Sequence, residues 1–181
     1  MKRGQIWISA VIYIGLGIVA IALLVGAGVP LINKMRDRNT FFQTKDVMHT
    51  IDNAIFEVLS EGPGSRRFLS PVTIRKGDLH LLENLEHRII WRMETDAVLQ
   101  EPGSKLTEGN LEIKFNPDDL IQDQYDVELV LDYSDKIFLI VNGLEATAPQ
   151  QLSGKFGLSI ENQGVTTLDS SGRTQIDIKI T

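Results

Sequence analysis

G-Q-I-W-I-S-A-V-I-Y-I-G-L-G-I-V-A-I-A-L-L-V-G-A-G-V-P-L-I-N, residues 4–33, contains no charged side chain. Crossing the hydrocarbon of a bilayer takes about 20 apolar residues at ~1.5 Å of helical rise each. The run exceeds that length, so it reads as a membrane-spanning helix. The chain beyond it reads as a domain held at a membrane surface. Pro30 removes one backbone donor and is expected to kink the helix near Gly26.

At about 100° per residue, Gly15, Ala22 and Gly26 fall on one side of this helix, and Ala10, Gly17 and Gly28 on a second, roughly opposite side. Small residues let membrane helices approach closely, and Ala22-x-x-x-Gly26 is the spaced form of that signal. Two such faces suit a helix with neighbours on both sides, and so self-association as well as contact with membrane lipid. Composition alone would also give them, because Gly and Ala are common in membrane helices.

The helical period continues past the bilayer. Phe41, Met48, Ile51, Ile55 and Val58 form an apolar stripe, with Thr44 in the missing place. Lys34, Arg36, Asp37, Arg38, Lys45, Asp46 and Asp52 fall largely off it. One helix is therefore expected from Ile6 to about Ser60, its residues 34–61 being an amphipathic continuation that packs on a C-terminal domain. Glu61-Gly62-Pro63-Gly64 ends it. The same stripe also suits a coiled-coil stalk.

Beyond Gly64 the period becomes that of strands, over 67–75, 79–82, 88–95, 111–115, 126–133, 136–141, 155–160 and 174–180. Residues 137–141 are continuously apolar, which predicts burial on both faces. Tyr133-Ser134-Asp135-Lys136 reads as the turn of a tight hairpin. Further turns are expected at Lys76-Gly77-Asp78, at Glu161 to Gly164 and at Asp169 to Gly172. The fold class is thus α+β: a long hydrophobic helix, then an antiparallel, β-sandwich-like domain over 65–181.

The net charge of -6, with no basic stripe carrying interleaved aromatics, argues against a nucleic-acid binder. The chain has no cysteine, so neither a thiolate nucleophile nor a disulfide scaffold is available. His49, His80 and His87 fall in different elements without ligand spacing. Gly154-Lys155-Phe156 lacks the rest of a phosphate loop. Asp118, Asp119, Asp123 and Asp126 are the candidate cation cluster, but without the spacing or Gly of a calcium loop they read as a solvated loop. No N-x-[ST] sequon occurs, and Arg66 and Arg67 at the helix-to-domain junction read as solvation. No catalytic residue, metal site or cofactor is assigned, and an enzyme is not expected.

The N-terminus reads Met1-Lys2-Arg3-Gly4-Gln5-Ile6. A cleaved secretory signal has a basic start, about 7 to 15 apolar residues and a small-x-small site. Here the apolar run is too long and the site is missing. The order of basic residues, Gly-Gln and then an unbroken apolar helix resembles archaeal type IV pilin-like proteins with a class III (prepilin-type) signal peptide. The resemblance covers 2–5 as a motif and roughly the first sixty residues as an architecture. It implies a prepilin peptidase that cuts between Gly4 and Gln5, removing the leader 1–4 and leaving 5–33 as a filament-core or transmembrane segment. It also implies assembly at the cell surface with the helices as the core. Many pilins carry Glu at the fifth mature position, where this chain has Ser9. A buried terminal ammonium without a counter-charge is costly, so the terminus is expected either near water or neutralised by cyclisation of Gln5.

Topology is set by competing signals. Lys34, Arg36 and Arg38 slightly outnumber Lys2 and Arg3, which favours a cytoplasmic C-terminal side. The short N-terminal flank, and the resemblance to prepilins that insert with it inside, favour an extracellular domain, and that is the expectation adopted. The alternative function is an uncleaved single-pass anchor whose β domain is an extracellular binding module. A minor subunit that primes or caps a filament is a third reading.

Overall fold

The computed structural model describes residues 3–82, 86–118, 120–121, 123–143, 150–166 and 172–181. It comprises one helix, α1 (Arg3–Glu61), and eight strands: β1 (Arg66–Leu81), β2 (Arg88–Thr95), β3 (Ser104–Glu108), β4 (Leu111–Pro117), β5 (Tyr125–Asp132), β6 (Ile137–Val141), β7 (Gln150–Val165) and β8 (Thr174–Ile180). By internal contacts the chain divides into two compact units, Met1–Arg36 and Asp37–Thr181.

The first unit is helical from Arg3, and Pro30 lies inside the helix. From Ser9 onward its side chains face outward, with Val11, Leu16, Ile21, Leu24 and Leu31 each more than half exposed. By length and composition this helix is able to cross a membrane.

In the second unit the remaining turns of α1 lie on the sheet. Phe41, Thr44, Met48, Ile51, Ile55 and Val58, the stripe read from the sequence, are all buried, and Ala54 joins them. They share one core with inward residues of the strands, among them Trp91 of β2, Phe115 of β4, Leu129 of β5 and Ile178 of β8. Burying each such side chain contributes about 1.5–3 kcal/mol. The period-2 pattern explains the strand faces: in β4, Leu111, Ile113 and Phe115 are buried while Glu112 and Lys114 lie half out.

The α+β class holds, with mostly antiparallel strands. Hydrogen bonding joins all eight in one sheet of order β3-β4-β5-β2-β1-β7-β8-β6, and the layer on its inner face is α1. Several local expectations are corrected. Residues 67–75 and 79–81 belong to one strand, β1, with Leu82 just beyond it, and the expected turn at Lys76-Gly77-Asp78 is an irregularity within it, between Ile74 and Leu79. Gly77 takes φ +75°, and a Cβ there would collide with the carbonyl oxygen of Arg92. Glu161 to Gly164 is likewise a bulge inside β7 rather than a turn. Glycine in a long strand marks a bend as readily as an end.

Tyr133 to Lys136 does turn, with the Lys136 N–H donating to the Tyr133 carbonyl at 3.0 Å. It closes no hairpin, because β6 pairs in parallel with β8 instead of with β5. All five residues of β6 are buried, as its unbroken apolar run predicts. β3, absent from the sequence reading, is an edge strand whose side chains stay largely in solvent. The expected turn at Asp169 to Gly172 lies outside the described residues except for Gly172, and Asp119 of the acidic cluster lies outside them as well.

Candidate functional site

The functional surface built from the sequence is the apolar helix. Gly4 and Gln5 fall in the first turn of α1. Ala10, Gly15, Gly17, Ala22 and Gly26 are exposed and Gly28 is half-exposed. A Cβ added at any of the four glycines meets nothing within 4 Å in the chain. Among the described residues their small size therefore answers no packing need. What an unfilled notch on an apolar helix offers is close approach by a second helix.

The continuation of that helix is tied to the sheet by polar contacts spaced along it. The Asp37 carboxylate accepts from Lys76 Nζ at 2.7 Å and from Thr95 Oγ1 at 2.8 Å. Lys45 pairs with Glu108 at 2.6 Å, and His49 Nε2 stands 3.7 Å from the same carboxylate. Asp52, only 8% exposed, accepts from Tyr133 Oη at 2.6 Å and from Asn110 Nδ2 at 3.2 Å. Near the end of the helix Arg67 bonds both Glu57 and Glu61. The last turn is capped from β7 and from the residue before β1: Asn162 Nδ2 donates to the Val58 carbonyl at 2.9 Å, and Ser65 Oγ donates to the same oxygen at 2.7 Å.

These ties shift titrations in the directions their geometry requires. The Lys45 ammonium holds the Glu108 carboxyl below its ordinary range. Burial, and then the neighbouring Asp52 carboxylate, push the Tyr133 phenol far above its own. Lys179 and then Arg66 hold Glu161 low.

The chemistry-bearing residues do not converge. His49 sits on α1, His80 on β1, and His87 packs its ring on Phe138 at 4.5 Å while Nδ1 accepts from the Leu139 N–H at 3.2 Å. Of the acidic cluster, Asp118 accepts the N–H groups of Leu120 and Ile121, whereas Asp126 belongs to β5. Among the described residues no group of three or more His, Cys, Asp or Glu is placed to hold a metal ion. A cleft of about 570 Å³ opens on the outer face of β1, β2 and β5 between Lys76, Asp78, Glu94 and Glu128. Next to it the outer face is laced by cross-strand pairs, Arg88 with Asp132 and Arg92 with Glu128, each at 2.6 Å. Opposite charges facing each other across strands make a hydrated surface.

The sequence reading missed the buried acid and its phenol. Asp52 stands beside the apolar stripe, where an acid normally faces water, and Tyr133 reads as the first residue of a turn. The cap by Asn162 was hidden because its neighbours read as a turn.

A long apolar N-terminal helix, able by length and composition to span a membrane, followed by a β domain is compatible with a membrane-anchored protein and fits a type IV pilin-like architecture. Comparison with protein-family models, with curated proteins and with solved structures found no match.

Proposed function

We propose that this chain is a pilin-like protein of the cell surface, trimmed between Gly4 and Gln5 by a prepilin peptidase. Its mature helix would then mediate self-association in the membrane or in a filament, with the β domain outside the cell. The observation that carries the reading is a division of labour on one helix. Residues 41–58 spend their apolar stripe on the domain core, whereas residues 9–32 leave theirs bare. The small-residue faces within the bare part supply surfaces for neighbouring copies. The charged, hydrated outer face of β2 to β5 suits the outside of such an assembly.

Fractionation of cells tests this. The protein is expected in sheared surface material as particles of many copies; recovery only as detergent-extracted monomers would contradict it. The second reading, an anchor kept uncleaved with the β domain as a binding module, draws on Ser9, which supplies no counter-charge for a buried mature terminus.

A further inference from the structure

The sequence contains a single Asn-Gly pair, Asn142-Gly143, directly after β6. Glycine has no Cβ to shield its backbone nitrogen, which is free to attack the side-chain amide carbon of the preceding asparagine and close a five-membered ring. Both residues are exposed to water, and both hold positive φ, +53° and +75°. The pair is held by three hydrogen bonds. The Gly143 N–H donates to Asp177 Oδ1 at 2.9 Å. Asn142 Oδ1 accepts the Ile180 N–H at 3.0 Å, and the Asn142 N–H donates to the Ile178 carbonyl at 3.1 Å. Asp177 is only 1% exposed, and its other oxygen stands 3.5 Å from Lys179 Nζ. Burying a carboxylate is costly, and this one aims an oxygen at the backbone of an exposed glycine.

We propose that Asn142-Gly143 is a self-modifying site, at which the fold promotes conversion of Asn142 to aspartate and isoaspartate. Asp177 is the base, and the Ile180 N–H is the oxyanion donor. The Asp177 carboxylate takes the Gly143 amide proton, and the freed nitrogen bonds to Asn142 Cγ. Negative charge gathers on Asn142 Oδ1, where the Ile180 N–H already points. The Cγ–Nδ2 bond then breaks; the departing nitrogen takes the proton back from Asp177 and leaves as ammonia. The remaining ring is a succinimide. Water opens it at either carbonyl, giving aspartate, or isoaspartate with the backbone rerouted through the side chain. The net change is gain of one water and loss of one ammonia. Isoaspartate adds a methylene to the backbone where β6 leaves its pairing with β8, next to the Val141–Ile178 pair, and so loosens the end of a buried strand. The site stands whether or not the chain is trimmed or assembled.

The full-length protein in detergent is held at neutral pH and sampled by peptide mapping, which reads the loss of ammonia at Asn142 and separates aspartate from isoaspartate. The same chain held in denaturant is the reference. Asn142 is expected to react faster in the folded chain than in the unfolded one. The folded rate should also stay nearly level across neutral pH, because a carboxylate takes the proton, whereas the unfolded rate should follow hydroxide concentration. Asp177→Asn keeps an oxygen for the Gly143 N–H but removes the base, and should slow the folded reaction by about tenfold or more. If that variant does not fold, the pH profile of the unaltered chain decides. The site is overturned by a folded rate below the unfolded one, which would make the three hydrogen bonds a protective clamp. A folded rate that follows hydroxide overturns it as well, as does a folded Asp177→Asn chain that reacts as fast as its parent.

Discussion

The Tyr133 hydroxyl donates to the Asp52 carboxylate at 2.6 Å, joining the middle of the domain's helical half to the end of β5 across 81 residues of sequence. Both side chains are buried, so the bond is shielded from water. Tyr133→Phe keeps the ring and leaves Asp52 with the Asn110 amide as its side-chain donor. Leaving a buried acceptor short of a donor costs about 1–3 kcal/mol. Denaturant unfolding of the detergent-solubilised protein should show that loss for Tyr133→Phe. A double-mutant cycle with Asp52→Ala should show the two changes to be non-additive.

Gly77 is the second sensitive point. Its positive φ and its approach to the Arg92 carbonyl leave no room for a side chain, and the Lys76 carbonyl beside it accepts the Trp91 indole N–H at 3.0 Å. Gly77→Ala should cost about 2 kcal/mol or more through strain and displacement of the bulge. Trp91 is fully buried, and its fluorescence should shift to the red in the folded variant. Gly103→Ala shares the positive φ but meets nothing within 4 Å, and should cost less.

Stability should fall in acid. Lys179 and then Arg66 hold the folded-state pKa of Glu161 below its unfolded value, and Lys45 does the same for Glu108. A depressed carboxyl contributes stability above its unfolded pKa of about 4.3 and loses it as pH falls through the lower folded value. Thermal melts from pH 7 downward should therefore show falling Tm as these groups protonate. Glu161→Gln, which cannot titrate, should flatten part of that slope while lowering Tm at neutral pH.

The small residues of the bare helix make a separate prediction. A Cβ at Gly26 meets nothing within 4 Å among the described residues, so for Gly26→Ile the Tm of the β domain should not move. Self-association should weaken by about 0.6–2 kcal/mol if Gly26 lies against a neighbouring helix. Sedimentation in detergent, or a cross-linking ladder in membranes, reads the difference. An identical association constant would take Gly26 out of the contact.

How much of this was legible in the sequence depends on how far apart the cause and the effect lie in the chain. The core stripe of α1 and the end at Gly62 are written in local spacing, and the structure bears both out. The alternation of β4 and the unbroken apolar run of β6 are equally local. Pairing is not: β6 lies beside β8 because of where the whole sheet places it, and the turn at Tyr133 cannot reveal that. Gly77 and Gly164 show the same limit, since a glycine permits a positive φ without stating whether the strand stops or bends there. β3 escaped because an exposed edge strand needs no alternating apolar face. For the candidate site, the small residues were legible as composition on a helical wheel. What packs on them is not written in the chain, since among the described residues a Cβ at any of the four glycines meets nothing within 4 Å.

The most direct measurement is the N-terminal mass of the protein taken from native membranes or sheared surface material. The account predicts a mature chain beginning at Gln5, with or without loss of ammonia on cyclisation. A chain beginning at Met1 would contradict prepilin processing, leaving an anchored β domain whose partner must be sought on its outer face.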